Sequence, residues 1–218
     1  MSAREAFREL LDVGISPFLR PRGFQRHGYG YQKWIAKNCQ LILFGVDHRR
    51  SDQSQVLFSV TLGTISGRLW WFETDQPRPS RFPLPQDWHW ISSLATLDPK
   101  RNHDGSGNWW SIQEKHQVRA LADELGKRLA LYGIPSLDAY VSDESLRDLY
   151  HSGRGGTEFQ VLYRLAYLLS AIGPESELVG VLGKLRTSSK GQRTETRAEE
   201  YALRIESLMT NPASSVRQ

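Results

Sequence analysis

Residues Gly23–Ser66 read GFQRHGYGYQKWIAKNCQLILFGVDHRRSDQSQVLFSVTLGTIS, and this stretch decides the fold. Apolar and polar residues alternate over Gly28–Ala36, Gln40–Val46 and Val56–Ile65, which predicts three strands. Lys37-Asn38 and Arg49–Ser54 have turn composition, so the strands should form an antiparallel meander. Gln40–Val46 is nearly all apolar and is expected at the centre of the sheet, buried on both faces. Cys39, at its start, reads as a small buried residue, because no His or Lys stands next to it to lower its pKa.

Upstream, Ser2–Arg20 predicts an amphipathic helix. Ser2 and Glu5 have capping-box spacing, and Ala6, Phe7, Leu10, Leu11 and Ile15 form the apolar stripe. Gly14 and Pro17 weaken this helix and Pro21-Arg22-Gly23 ends it. Downstream, Gly67–Thr74 reads as one helical turn or a bulged edge. Asp75–Asp87 holds four prolines and reads as a surface loop. Trp88–Leu97 predicts a fourth strand, Pro99–Asn108 a loop, and Gln113–Tyr132 a long helix stopped by Gly133 and Pro135. Ser142 should cap a helix over Asp143–Ser152.

After the joint HSGRGGT (151–157) the pattern is helical throughout: Glu158–Ile172, Glu175–Leu185 opened by Pro174, and Gln192–Met209. The fold class expected is α+β, an antiparallel sheet of three meander strands plus a fourth, packed by helices. Residues 1–152 should form that domain and 157–209 a helical subdomain docked on it. Phe159, Val161, Leu162, Leu165, Leu168, Leu169 and Ile172 must bury against something.

Composition excludes several classes. The 218 residues include one cysteine, so no intramolecular disulfide forms. MSAREAFRELLDVG has no apolar core of a signal peptide, and no apolar run approaches the ~20 residues that span a bilayer. A cytoplasmic location without a membrane partner is expected. The net charge of +4 is spread out, unlike the concentrated stripe of a dedicated nucleic-acid binder. There is no GxxxxGK[ST], no GxGxxG between strand and helix, no CxxC, no HExxH and no GxSxG. Asn102–Gln113 has the glycine of a calcium loop at Gly107 but ends in Gln113 where a bidentate Glu is required. No cofactor, metal ligand or catalytic residue is assigned.

Three functional readings stay open. Trp70, Trp71, Trp88, Trp90, Trp109 and Trp110, with Arg49 and Arg50, are of the types enriched at interface hot spots. On a strand, each Trp-Trp pair would turn one ring outward. Arg20, Arg22 and Arg26, with Tyr29 and Tyr31 for stacking, would suit a nucleic-acid module. An unrecognised hydrolase would need His48, His89 and His103 to meet Asp47, Asp87 or Asp104 in a cleft.

The series GFQRHGYGYQKW, LFSVTLG, DWHWISSLATL and NWWSI before a long helix resembles the bacterial family called domain of unknown function 4304, over roughly residues 3–140. The resemblance implies an α+β fold with an antiparallel sheet, and it implies no activity, cofactor or catalytic residue. By analogy with small bacterial domains that neighbour toxin systems, it favours an immunity or adaptor protein that binds a toxin or effector.

Overall fold

The computed structural model describes residues 2–99, 108–113 and 116–210. The chain runs α1 (Ala3–Glu9), a wide π turn (Leu10–Ile15), α2 (Ser16–Leu19), a 3-10 turn (Arg20–Arg22), β1 (Gln25–His27), β2 (Gly30–Ile35), β3 (Asn38–Val46) and β4 (Val56–Ile65). It continues through α3 (Gly67–Thr74), a 3-10 turn (Pro85–Asp87), β5 (Trp90–Ser93), α4 (Leu94–Leu97), β6 (Trp110–Ile112), α5 (Gln117–Arg128), a second π turn (Leu129–Gly133) and α6 (Ile134–Ala139). Four helices complete it: α7 (Asp143–His151), α8 (Glu158–Ile172), α9 (Glu175–Ser189) and α10 (Glu195–Thr210). The class is α+β, as the sequence predicts.

Two compact units divide the chain: Met1–Ile65 with Ser80–Tyr140, and Ser66–Pro79 with Val141–Gln218. The boundary expected at Ser152 thus falls earlier, at Tyr140, and an insert from the sheet region joins the helices. The reason is burial. Leu146, Leu149 and Tyr150 of α7 are core residues, and α3 contributes Phe72, whose ring stacks on Tyr167 of α8 at 4.2 Å.

In the first unit the sheet order is β1-β2-β3-β4-β5, with β6 also on β4. All pairings are antiparallel. β3 lies along one edge of β4. β5 and β6 share the other edge, at Thr61–Thr64 and Val56–Phe58 respectively. The strand predicted over Gly28–Ala36 is β2, trimmed to Gly30–Ile35, and β1 precedes it. Gly28 sits at φ 60°, a conformation open to glycine, and the chain turns there into the β1–β2 hairpin. The next turn falls at Ala36-Lys37, with Ala36 at φ 52°. Only Trp90–Ser93 of the predicted fourth strand pairs, because Ser93 caps α4 through the Ala95 N–H. Gly67–Thr74 is helical, started by Ser66 accepting from the Leu69 N–H.

One sheet face carries Tyr31, Phe44 and Phe58 in a row of ring contacts that extends to Phe7 of α1 and to Trp110. The Tyr31 hydroxyl donates to the Leu11 carbonyl at 3.1 Å and lies 2.9 Å from Ser16 Oγ. The opposite face carries Gly30 and Gly63. A Cβ on Gly30 would stand 2.4 Å from the Phe82 ring, and one on Gly63 would stand 1.9 Å from the Trp88 ring. The proline-rich loop is therefore pinned at its end by two rings lying on bare backbone. Trp88 is further held by its indole N–H donating to the Pro83 carbonyl.

Pro17 and Pro135 do not end their helices. Each occupies the first turn of a helical segment that follows a π turn. The π turn bonds to the fifth residue back, and proline is tolerated in the first turn of the segment beyond it.

In the second unit α8 is the centre. Every residue from Tyr163 to Leu169 is buried, which answers its all-round apolarity. Thr157 and Gln160 cap it reciprocally. Arg186 of α9 donates to both Glu199 and Glu206 of α10.

Gly63→Ala should destabilise the chain by about 2 kcal/mol through overpacking against Trp88, lowering Tm by roughly 4–8 °C in a thermal melt. An unchanged melt would show that the ring does not lie on Gly63. The Arg186 hydrogen bond holds the Glu199 carboxyl below its usual value of 4.5. A depressed carboxyl contributes stability above its unfolded pKa and loses it as pH falls through the folded one. The Tm deficit of Arg186→Met at pH 7 should therefore shrink on acidification below 4.5, read from melts across pH.

Candidate protein-binding surface

The structure places two of the catalytic candidates, His48 and His89, far apart. Asp47 donates its N–H to the Leu57 carbonyl, placing His48 beside one end of β4. His89 donates its N–H to the Thr64 carbonyl near the other end and is fully buried. Seven residues of strand separate those carbonyls, a span of about 24 Å. The Asp47 carboxylate accepts from Arg50 Nε at 2.6 Å and from the Arg49 N–H, and the Arg50 bond foremost keeps its pKa low. Asp87 accepts from the Leu84 N–H. His103 and Asp104 lie outside the described residues. Among the described residues no group of three His, Cys, Asp or Glu side chains is placed to hold a metal. Cys39 is buried, as its sequence setting predicts.

The proposed stacking residues fare differently. Tyr31 is fully buried and cannot meet a base, and its burial raises the hydroxyl pKa. Tyr29 is partly exposed, its ring 5.3 Å from Phe7 in an edge contact. Arg26 is paired with Asp12 and donates to the Gly28 carbonyl. The Arg22 guanidinium lies 3.9 Å over the Phe18 ring and donates to its carbonyl. Arg20 is exposed.

The tryptophans divide between the units. Trp88, Trp90 and Trp110 are core residues of the first, Trp90 stacking on Tyr140 at 4.8 Å. Trp109 is half-buried beneath Arg50, 4.5 Å from the guanidinium, with Arg49 exposed beside it. The Trp109-Trp110 pair thus shows the expected alternation. Trp70 and Trp71 do not, since they lie on α3. Both are half-buried in the second unit, and Trp71 packs under Arg204 at 5.2 Å.

A buried polar cluster in the second unit joins α3 to α8. Glu73 accepts from Arg164 Nε at 2.8 Å and from the Tyr163 hydroxyl at 2.6 Å. Burial, then the Glu73 charge, pushes the Tyr163 pKa far above its ordinary range, so the hydroxyl stays protonated and donates. Each group is spent on its neighbour, which is the arrangement of a structural tie.

The first unit has an open valley of about 900 Å³ between the π turn Leu10–Ile15 and α5. One wall presents Glu9, Val13 and Phe18, and the other presents Val118 with Arg119, Asp123 and Lys127 on its rim. The floor is small. Gly14 packs so closely on Ala122 that a Cβ would stand 2.5 Å from that methyl. Ala122 and Gly126 of α5, with Ala130 in the π turn that follows, keep this wall low at four-residue spacing. Val13 is 62% exposed, an apolar side chain left in solvent. Sequence reasoning missed this valley. Its signals were Val13 standing off the buried stripe of its helix and the small residues Ala122, Gly126 and Ala130 at every fourth position. The first unit also contains sixteen Lys and Arg against twelve Asp and Glu, and so carries the whole net charge of +4.

No family model, no curated protein and no solved structure matches the chain. Among the described residues no helix is long and apolar enough to cross a membrane.

Glu73→Gln leaves the Arg164 charge, 3% exposed, without its counter-ion. Loss of one partner of a buried pair costs about 3–5 kcal/mol. Urea unfolding should show that loss, with Glu73→Leu/Arg164→Met recovering most of it. A Glu73→Gln midpoint equal to wild type would remove the tie from the account of this unit.

Proposed function

We propose that the chain is a protein-binding domain, an immunity or adaptor protein that docks on a partner toxin or effector. The observation that carries the binding role is the α5 valley. Apolar Val13 and Phe18 face an open concavity whose floor is lowered to backbone and methyl groups, with charges on its rim. Helix-in-groove recognition uses this shape: apolar anchors enter the groove and rim charges fix the register. The toxin or effector class of the partner rests on the analogy with small bacterial domains that neighbour toxin systems. His48 and His89 stand near opposite ends of β4, so a hydrolase site could not draw on both.

The test is affinity purification of the tagged full chain from its native host, in parallel with Val13→Glu/Ala130→Arg. Both substitutions are at exposed positions, so the melting temperature should stay within a few degrees of wild type. Wild type should recover one protein in stoichiometric amount, identified by mass spectrometry. The double variant should recover at least tenfold less of it. Recovery of the chain alone under all conditions would count decisively against a binding role.

A further inference from the structure

The chemistry of the valley narrows its occupant. From Arg119 of α5 to Ala130 of the π turn that follows, the wall runs eleven residues, about 16 Å or three helical turns at 1.5 Å per residue. The low floor of Gly14, Ala122 and Gly126 admits a rod at backbone distance. Two helices side by side leave a cleft that a third helix fills by ridges-into-grooves packing. An extended peptide would gain less here, because the valley offers no strand edge to pair with.

The rim sets polarity. Arg119, Asp123 and Lys127 follow one another at four-residue spacing along the same side of α5, all exposed. None of the three forms an ion pair with another described residue. Arg128, the neighbouring cation, is instead committed to Asp98 and Glu124. The rim therefore reads plus, minus, plus over two turns. A helix lying in the cleft repeats its flank at the same spacing, so its best complement reads acid, base, acid at i, i+4 and i+8.

We propose that the valley binds an amphipathic helix of a partner protein, about three turns long, with a narrow apolar face and a flank reading acid, base, acid against Arg119, Asp123 and Lys127. The proposal rests on the protein-binding reading and specifies its ligand.

Two stapled, fluorescein-labelled helical peptides of fifteen residues test it. Both carry Leu and Ala on one face. One carries Glu-Lys-Glu at i, i+4 and i+8 on the flank, and the other carries Lys-Glu-Lys. Fluorescence anisotropy with the full chain should show the Glu-Lys-Glu peptide binding at least tenfold more tightly, with the margin falling as salt rises. In Arg119→Glu/Asp123→Lys/Lys127→Glu the preference should reverse. In Val13→Glu both peptides should weaken. Equal affinity for the two peptides, no reversal, or no binding by either overturns the proposal. If the peptides fail while a partner is still recovered with both wild type and Val13→Glu/Ala130→Arg, the valley is not the site but the protein-binding reading stands. If no partner is recovered and oligonucleotides bind with steep salt dependence, both readings fall.

Discussion

β4 is hydrogen-bonded on both of its edges, and the first unit depends on that constraint. Lying between β3 and the β5–β6 edge, the strand also carries the buried face of the sheet, so Val56, Phe58, Val60 and Leu62 must be apolar. The sequence VLFSVTLGTI answers with alternate large apolar residues on the helix-covered face. On the other face the requirement inverts. Gly63 must lack a side chain so that the Trp88 ring can lie on the backbone. The ring in turn fixes where the chain re-enters the sheet as β5, because His89 bonds to Thr64 one residue later. A single missing methyl group thus sets the register of a returning segment.

The second unit is organised from a helix rather than a strand. α8 is buried nearly all round, and it accommodates one charge, Arg164, only because α3 brings a carboxylate to it. Such a pair contributes little net stability against an apolar equivalent, yet either half alone is costly. Its effect is selective: α3 can sit in one orientation on α8 and no other without stranding an ion.

Much of the fold was legible in the chain. Val56–Ile65 and Glu158–Ile172 have the bounds their periodicity gives, and the caps at Ser2 and Ser142 form. Pro135 misled, because local propensity does not reveal that a widened turn can carry a helix past a proline, whereas the helix read through Pro17 does continue. The unit boundary misled for a different reason. Phe72 and Glu73 find their partners ninety residues further on, and periodicity carries no information at that range. The tryptophans were half legible: aromatic abundance marked a large core, and only the packing showed which rings were left near the surface. The valley was hardest to read, since a concavity between two helices is written in the absence of side chains, at Gly14, Ala122, Gly126 and Ala130.

The discontinuity of the second unit has a consequence for how the chain is made. α3 leaves the ribosome with Phe72 and Glu73 already synthesised, while Tyr167 and Arg164 lie about ninety residues downstream. At roughly 5–20 residues per second that interval is about 5–20 s. During it the first unit can close around its own sheet, but α3 remains a tethered apolar helix without its pocket. The nascent protein therefore passes through an obligatory stage with a loose strap at the end of β4, and a chaperone or a neighbouring nascent chain meets that strap before α8 does.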